Sequence, residues 1–406
     1  MSQKPISRSP DLSRLRNEGY NLEIRSDHLL AKEVPYVAAD RTVKRGTLVV
    51  KLMLAGDVTV KPDNHVAYFT GEYPCRADGT PIESIRNETA RRELGPSLVV
   101  DHTFSAKPMP SGFYEDYYAK VTQYITILSG YAQVVEPDVT AKTFRPILAA
   151  ELEEETVFRY IDTATTRAEI GSVTANLASV KRVAIVGLGG TGSYVLDFVA
   201  KTPVSEIHLF DGDDFLQHNA FRSPGAPSIE ELSAKPKKSA YFKGIYDKMR
   251  KGIFVHDAYI GSENVHELQD MSFVFMCLEG PVKKLIVEKL EEFGVAFIDV
   301  GMGVYLSEGA LGGIVRATTS TLAQRDHLRK RISFSEDADH NEDNVNIQIA
   351  DLNALNAALA VIKWKKLTGF YQDLDNEYHC TYTIGGNMMC NDDFPAASKQ
   401  TMSSAP

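Results

Sequence analysis

Four glycines stand close together in Gly187-Leu188-Gly189-Gly190-Thr191-Gly192-Ser193. A turn this rich in glycine lets anionic oxygens approach the backbone, because no Cβ stands in their way. The apolar run Val183-Ala184-Ile185-Val186 leads into it, and a segment of helical character, Tyr194 to Lys201, leads out. The loop is therefore expected to join a strand to the N-terminus of a helix, where free N–H groups and partial positive charge suit phosphate. Asp211 follows Gly187 by 24 residues, at the end of the next apolar run. A carboxylate there accepts hydrogen bonds from ribose hydroxyls. To this point a nicotinamide dinucleotide and a nucleoside triphosphate fit equally well.

The residues that follow separate the two. They read Asp211-Gly212-Asp213-Asp214-Phe215-Leu216-Gln217-His218-Asn219-Ala220-Phe221-Arg222, and then Lys235, Lys237 and Lys238 gather around Pro236. Hydride transfer needs no Asn, Arg and lysine cluster after the ribose carboxylate. A triphosphate does, because its charge must be offset and its α-phosphorus made electrophilic. On these motifs the chain resembles the ThiF-type adenylyltransferases. That superfamily holds the ubiquitin-activating enzymes, molybdopterin-synthase adenylyltransferase and thiazole-biosynthesis adenylyltransferase. The resemblance spans about residues 157–315 and continues more weakly to about 385.

The resemblance implies roles residue by residue. Gly187, Gly189, Gly190 and Gly192 would form the phosphate loop, and Asp211 would hold the ribose with Asp213 beside it. Asn219 and Arg222 would contact phosphates, Arg222 stabilising charge as pyrophosphate leaves. The family lysine follows a Pro-containing turn, which selects Lys237, with Lys235 in reserve. An arginine ahead of the first strand, reaching in some members into a partner subunit's site, maps onto Arg167 by spacing, with Arg159 the other candidate. Where the family carries an Asp that binds Mg²⁺, this chain has Cys277-Leu278-Glu279-Gly280. Glu279 keeps a hard oxygen ligand, carried about 1.5 Å further by one methylene. The implied cofactors are ATP and Mg²⁺. The implied reaction activates the C-terminal carboxylate of a ubiquitin-like or sulfur-carrier protein ending in glycine as an acyl-adenylate, with a conjugating enzyme as a further partner and a homodimer as the assembly. Glu279 in place of Asp motivates the alternative of a catalytically weak or inactive scaffold. A nicotinamide dehydrogenase is the third reading.

The elements that must position these residues are legible from about residue 180 onward. Continuous apolar runs at 183–186, 207–210, 253–255, 273–276 and 295–298 alternate with helical stretches. Such runs suit strands buried on both faces, and the alternation suits βαβ units. The expected fold class is α/β, a Rossmann-like doubly wound, mainly parallel sheet, preceded by a mixed α+β domain. The boundaries expected are 1–150 for the first domain, a docking module for partner or substrate, 157–385 for the adenylation domain, and 386–406 for a polar tail, with an acidic linker at Glu151 to Glu155. Residues 308–318 are expected to add an antiparallel strand. In the first domain, 46–54 and 65–70 read as strands, and 11–20, 83–94 and 114–127 as helices. Spacing places an apolar face on a long helix over 346–367, using Ile349, Leu352, Leu355, Leu359 and Ile362. That face serves either the core or a dimer interface. The acidic stretch 319–345 reads as a crossover loop.

With 406 residues, 43% of them hydrophobic, the chain can build two full cores without staples. A net charge of −10 argues against broad binding to nucleic acid or anionic membranes. No apolar run spans a bilayer, and the start of the chain lacks a signal core, so a cytoplasmic location is expected. The four cysteines are widely spaced with no C-x-x-C pair, which excludes a four-cysteine structural zinc. As thioester nucleophiles, Cys380 beside His379, Cys390 and Cys75 are candidates, and Cys277 is expected to be inert. Glu72-Tyr73-Pro74-Cys75 resembles ubiquitin-conjugating-like domains, loosely.

Overall fold

The computed structural model describes residues 2–334 and 347–395. It forms two compact units, Met1–Glu169 and Ile170–Pro406. The acidic residues Glu336, Asp337, Asp339, Glu342 and Asp343, expected in a crossover loop, lie outside the described residues.

The first unit is α+β. Its strands are β1 (Asn21–Arg25), β2 (His28–Val37), β3 (Val43–Lys51), the short ribbon β4 (Leu54–Ala55) and β5 (Val58–Thr59), β6 (Val66–Thr70), β7 (Arg86–Gly95) and β8 (Leu98–Ser105). Six of them make an antiparallel sheet in the order β1-β2-β3-β6-β8-β7. Burial alternates along β1 and β6, as one face of such a sheet requires. The helix Tyr117–Val135 supplies the opposing apolar stripe, with Tyr117, Val121, Tyr124 and Leu128 buried. Asp116 caps it by accepting from the Ala119 N–H at 2.7 Å. The expected helix at 83–94 is instead a single 3₁₀ turn, Glu83–Ile85, followed by β7. Arg, Glu and Ala favour helix locally, but pairing across the 95–98 turn to β8 overrides that preference.

The second unit is a doubly wound α/β sheet. Its strands are β9 (Arg182–Val186), β10 (Glu206–Phe210), β11 (Ile253–His256), β12 (Phe273–Met276), β13 (Phe297–Ser307), β14 (Ala310–Ser320), β15 (His379–Thr383) and β16 (Met388–Asp392). Their order is β11-β10-β9-β12-β13-β14-β15-β16. The first five run parallel and the last three add antiparallel. The helices Gly190–Ala200, Lys238–Tyr246 and Ala350–Leu367 pack on one face, and Val282–Phe293 on the other. The chain winds outward from β9 to β11, then returns to place β12 on β9's other side. That reversal opens a crevice at the carboxyl ends of β9 and β12, where such sheets bind ligands.

Two expectations change here. The residues from 386, expected in a tail, include β16, which pairs antiparallel with β15. The long helix buries a different face from the one its leucines suggested. Leu352, Asn353, Asn356, Ala357, Ala360, Val361 and Trp364 are buried, whereas Ile362 is 43% exposed. Alanines allow close approach to the helix Gly190–Ala200, and two asparagines turn toward the crevice.

His379, now a buried sheet residue, shares a 2.9 Å hydrogen bond with the Thr318 hydroxyl. Burial, with Arg331 and Arg316 nearby, pushes its pKa down to about 4. The unfolded chain takes up that proton near pH 6.5. Its contribution to stability is thus full above that value and is lost as the pH falls from there toward 4, by at most about 1.4 kcal/mol per pH unit. His379→Gln should flatten the dependence of melting temperature on pH in that window. Parallel curves for variant and parent would refute this.

Candidate functional site

At the switch point the glycine loop is shaped by contacts that admit no side chain. Gly187 has φ of +89°, and a Cβ there would lie 2.6 Å from the Cys277 carbonyl oxygen at the end of β12. At Gly192 a Cβ would lie 1.9 Å from the Gly187 carbonyl oxygen, and at Gly190 2.0 Å from Asn353 Nδ2. Gly189, by contrast, faces open space. The loop is thus pinned between β12 and the long helix, and Gly189 caps the helix Gly190–Ala200. Beside it lies a cavity of about 330 Å³, the low end of small-molecule clefts.

Asp211 braces the loop. Its Oδ2 accepts from the Leu188 N–H at 2.6 Å and its Oδ1 from the Asp213 N–H at 2.9 Å. Asp213 takes the Lys238 ammonium at 2.6 Å and the Tyr259 hydroxyl. Burial pushes the Asp213 carboxyl up, but the hydrogen bonds from Lys238 and Tyr259 outweigh it and hold the group below the usual carboxylate range. The same contact pushes Tyr259 up to about 12. Arg222 lines the cavity with a buried Nε that has no hydrogen-bond partner. Burial pulls its pKa down, with Asp213 acting the other way. Two more residues that line the same space carry an orphaned buried atom, Gln348 Oε1 and Asn356 Oδ1. Buried polar atoms without partners are costly, and three of them belong to residues that line this one cavity.

The long helix completes the wall. Asn353 Oδ1 accepts from the Thr191 hydroxyl at 3.0 Å, and its Nδ2 donates to the Arg222 carbonyl at 3.3 Å. Asn356 Nδ2 donates to the Gly301 carbonyl at 3.0 Å. These asparagines were invisible to a reading of apolar periodicity. The signal that would have found them is two polar residues at i and i+3 on a face otherwise filled by Ala.

Of the residues singled out by sequence, the structure brings Gly187, Gly189, Gly190, Asp211, Asp213, Arg222 and Glu279 to this cavity. Four others are placed elsewhere. Lys237 is exposed and occupied by Asp214 at 2.8 Å and the Gly212 carbonyl at 2.9 Å. The adjacent Lys238 faces the cavity instead, because it opens the helix Lys238–Tyr246 and turns inward. Asn219 is buried and caps its own turn, accepting from the Leu216 N–H at 2.8 Å. Arg167 belongs to the first unit, in the helix Thr163–Arg167, where it lines a smaller cavity with Arg16. Gly192 is buried behind the loop. Among the described residues no group of three or more His, Cys, Asp or Glu side chains is placed to hold a metal ion. Glu279 lines the cavity wall, as do Asp211 and Asp213. Lys238→Met should weaken binding of ATP by about tenfold or more, and Lys237→Met by less than about threefold. Equal losses, measured by calorimetry, would return the role to the exposed lysine.

Three of the four cysteines are poor nucleophiles. Burial pushes the thiols of Cys75, Cys277 and Cys380 up, with the field of Asp299 adding at Cys277. Cys380 is a buried position of β15. His379 and Cys380, being consecutive in a strand, point to opposite faces.

A family model described as "Domain of unknown function (DUF6791)" matches residues 10–163. No curated protein matches the chain. Among solved structures it is similar to E. coli MccB with MccA-N7isoASN, at 18% identity and a TM-score of 0.45, over 55% of this chain and 67% of that one. It is similar to E. coli MccB with ATP at 16% identity and a TM-score of 0.41, over 55% and 66% of the two chains. The similarity to PaaA is 15% identity and a TM-score of 0.43, over 55% and 75%. Among the described residues no helix is long and apolar enough to cross a membrane.

Proposed function

We propose that the second unit binds ATP at the switch-point cavity and adenylates a carboxylate, the C-terminal carboxylate of a ubiquitin-like or sulfur-carrier protein. The observation that carries this reading is Arg222, which lines a cavity beside a glycine-loop helix N-terminus and whose buried Nε lacks a partner. Dehydrogenation gives no task to such an arginine or to Lys238. In the reaction proposed, an acceptor carboxylate oxygen attacks the α-phosphorus, the bond from that phosphorus to the bridging oxygen breaks, and pyrophosphate leaves with the electron pair. No protein nucleophile is required. The chain's work is to position two anions and offset their charge. The loop N–H groups and Arg222 take phosphate oxygens, and Lys238, held by Asp213, adds a second cation. Magnesium would be held by Glu279 together with phosphate oxygens and water, as this ion prefers, and would neutralise phosphate charge.

The acceptor's route in this reading is a second cavity of about 340 Å³ that shares Glu279, Gly301 and Met302 with the first. Its charged wall is Lys283 and Arg316, each 2.8 Å from the buried Asp299. A Cβ at Gly303 would meet nothing within 4 Å, which leaves room for an extended tail. The test is ATP binding by calorimetry, together with exchange of labelled pyrophosphate into ATP in the presence of small β-grasp proteins ending in glycine. Binding and exchange are expected. Absence of both with every candidate sinks the proposal. ATP binding without exchange, unchanged in Glu279→Asp, supports the scaffold reading instead.

A further inference from the structure

The first unit holds a buried cation that its own fold does not neutralise. Arg16, in the helix Pro10–Asn17, is 4% exposed. Its guanidinium donates to two neutral side-chain oxygens, Ser7 Oγ at 2.9 Å and Asn17 Oδ1 at 3.2 and 3.3 Å. Among the described residues no carboxylate lies within ion-pair distance of it. Glu154 reaches it through its field alone, and burial pulls its pKa down. Another buried arginine of this protein shows how a structural guanidinium is satisfied. Arg250, 0% exposed, gives its fork to the backbone carbonyls of Thr202, Val204, Ser205 and Lys251. Arg16 has no such set of carbonyls.

Arg16 also sits where a ligand would fit. It lines a cavity of about 560 Å³ and an adjoining one of about 270 Å³, both built from the first unit. The two share Arg16, Tyr20, Arg145 and Ile147. In the larger cavity the other charged lining residues are ion-paired, Glu23 being shared by Lys32 and by Arg25 outside the lining. Lys32 is bonded to Glu23, and Arg145 to Glu151 at 2.8 Å. Three cations against two carboxylates leave an excess of one cation among the lining residues. Ile6, Leu22, Ile147 and Leu152 supply apolar wall.

We infer that this cavity is a binding site for a small organic carboxylate, whose anionic end docks on Arg16 and whose apolar body lies against Leu22, Ile147 and Leu152. A guanidinium fork matches a carboxylate in shape. An excess of one cation among the lining residues suits a monoanion better than a phosphate monoester, which carries nearly two negative charges at neutral pH. Much of the desolvation of Arg16 is already in place in the free protein, so less of that cost falls on forming the ion pair. The site is independent of the nucleotide cavity and of the reaction proposed for it.

The test is a calorimetric titration of the full chain with hexanoate, its neutral isostere hexanamide, and hexyl phosphate. Hexanoate should bind at least about tenfold more tightly than hexanamide, and Arg16→Met should bring the acid down to the amide's affinity. Equal affinity of acid and amide, no binding of either, or a preference for acid that survives Arg16→Met overturns the inference. Hexyl phosphate binding more tightly than hexanoate, in a manner lost in Arg16→Met, overturns the carboxylate assignment. Should that variant fail to fold, the comparison of acid with amide on the unaltered chain decides alone.

Discussion

Arg222→Met should lower pyrophosphate exchange by about a hundredfold to a thousandfold while leaving the unliganded protein at least as stable as the parent. Two opposite consequences of one geometry lie behind this. In the free protein the Nε of Arg222 is buried without a partner, and burial weakens its hold on the proton. Removing such a group relieves a desolvation penalty of about 1–3 kcal/mol, and methionine keeps much of the packed stem. In the reaction the same guanidinium meets charge that grows on the departing phosphates, where a fixed cation in a water-poor site is most effective. A site that trades stability for function in this way loses activity and keeps or gains stability when disarmed. Melting temperature and exchange rate, measured on the same preparation, check both halves. A variant that exchanges at the parent's rate removes Arg222 from the chemistry. A variant that is strongly destabilised shows that its role is structural.

How much of this was legible in the sequence follows from which forces act locally. The strand, the glycine loop and the helix after it are set by neighbours in the chain. They come in the expected order, at Arg182–Val186, 187–189 and Gly190–Ala200, with the helix starting inside the glycine motif rather than at Tyr194. Burial on both faces leaves its mark in continuous apolar runs, so the parallel core from β9 to β13 was legible as well. What failed depends on contacts between distant segments. Lys237 and Lys238 are indistinguishable by type. The bridge between Asp214 and Lys237 decides which of them turns inward. Asn353 and Asn356 are placed by what they bond across the crevice, Thr191, Arg222 and Gly301, and no periodicity scale weights asparagine as inward. The helix expected over 83–94 became β7 because β8 offered it a ladder. Asn219, expected on phosphate, caps its own turn, a use that its type allows equally well.

Gly192→Ala should destabilise the second unit by about 3 kcal/mol or more and abolish ATP binding with it, whereas Gly189→Ala should leave stability unchanged. The contrast rests on what one methyl group meets. At Gly192 it would lie 1.9 Å from the Gly187 carbonyl oxygen and 3.0 Å from Cys277 Cβ. Neither neighbour can yield, since Gly187 is itself held against the Cys277 carbonyl, and Leu188 is tied to Asp211. At Gly189 a methyl group meets nothing within 4 Å, so the fold tolerates it. That open space is nonetheless the cavity wall, where phosphate oxygens would approach the loop N–H groups. Gly189→Ala should therefore melt with the parent yet bind ATP at least about tenfold more weakly, because a contact of phosphate on backbone is blocked. Thermal melts with and without ATP separate the two variants. If Gly189→Ala is stabilised by ATP as much as the parent is, the phosphates do not lie on this loop, and the crevice serves a different ligand.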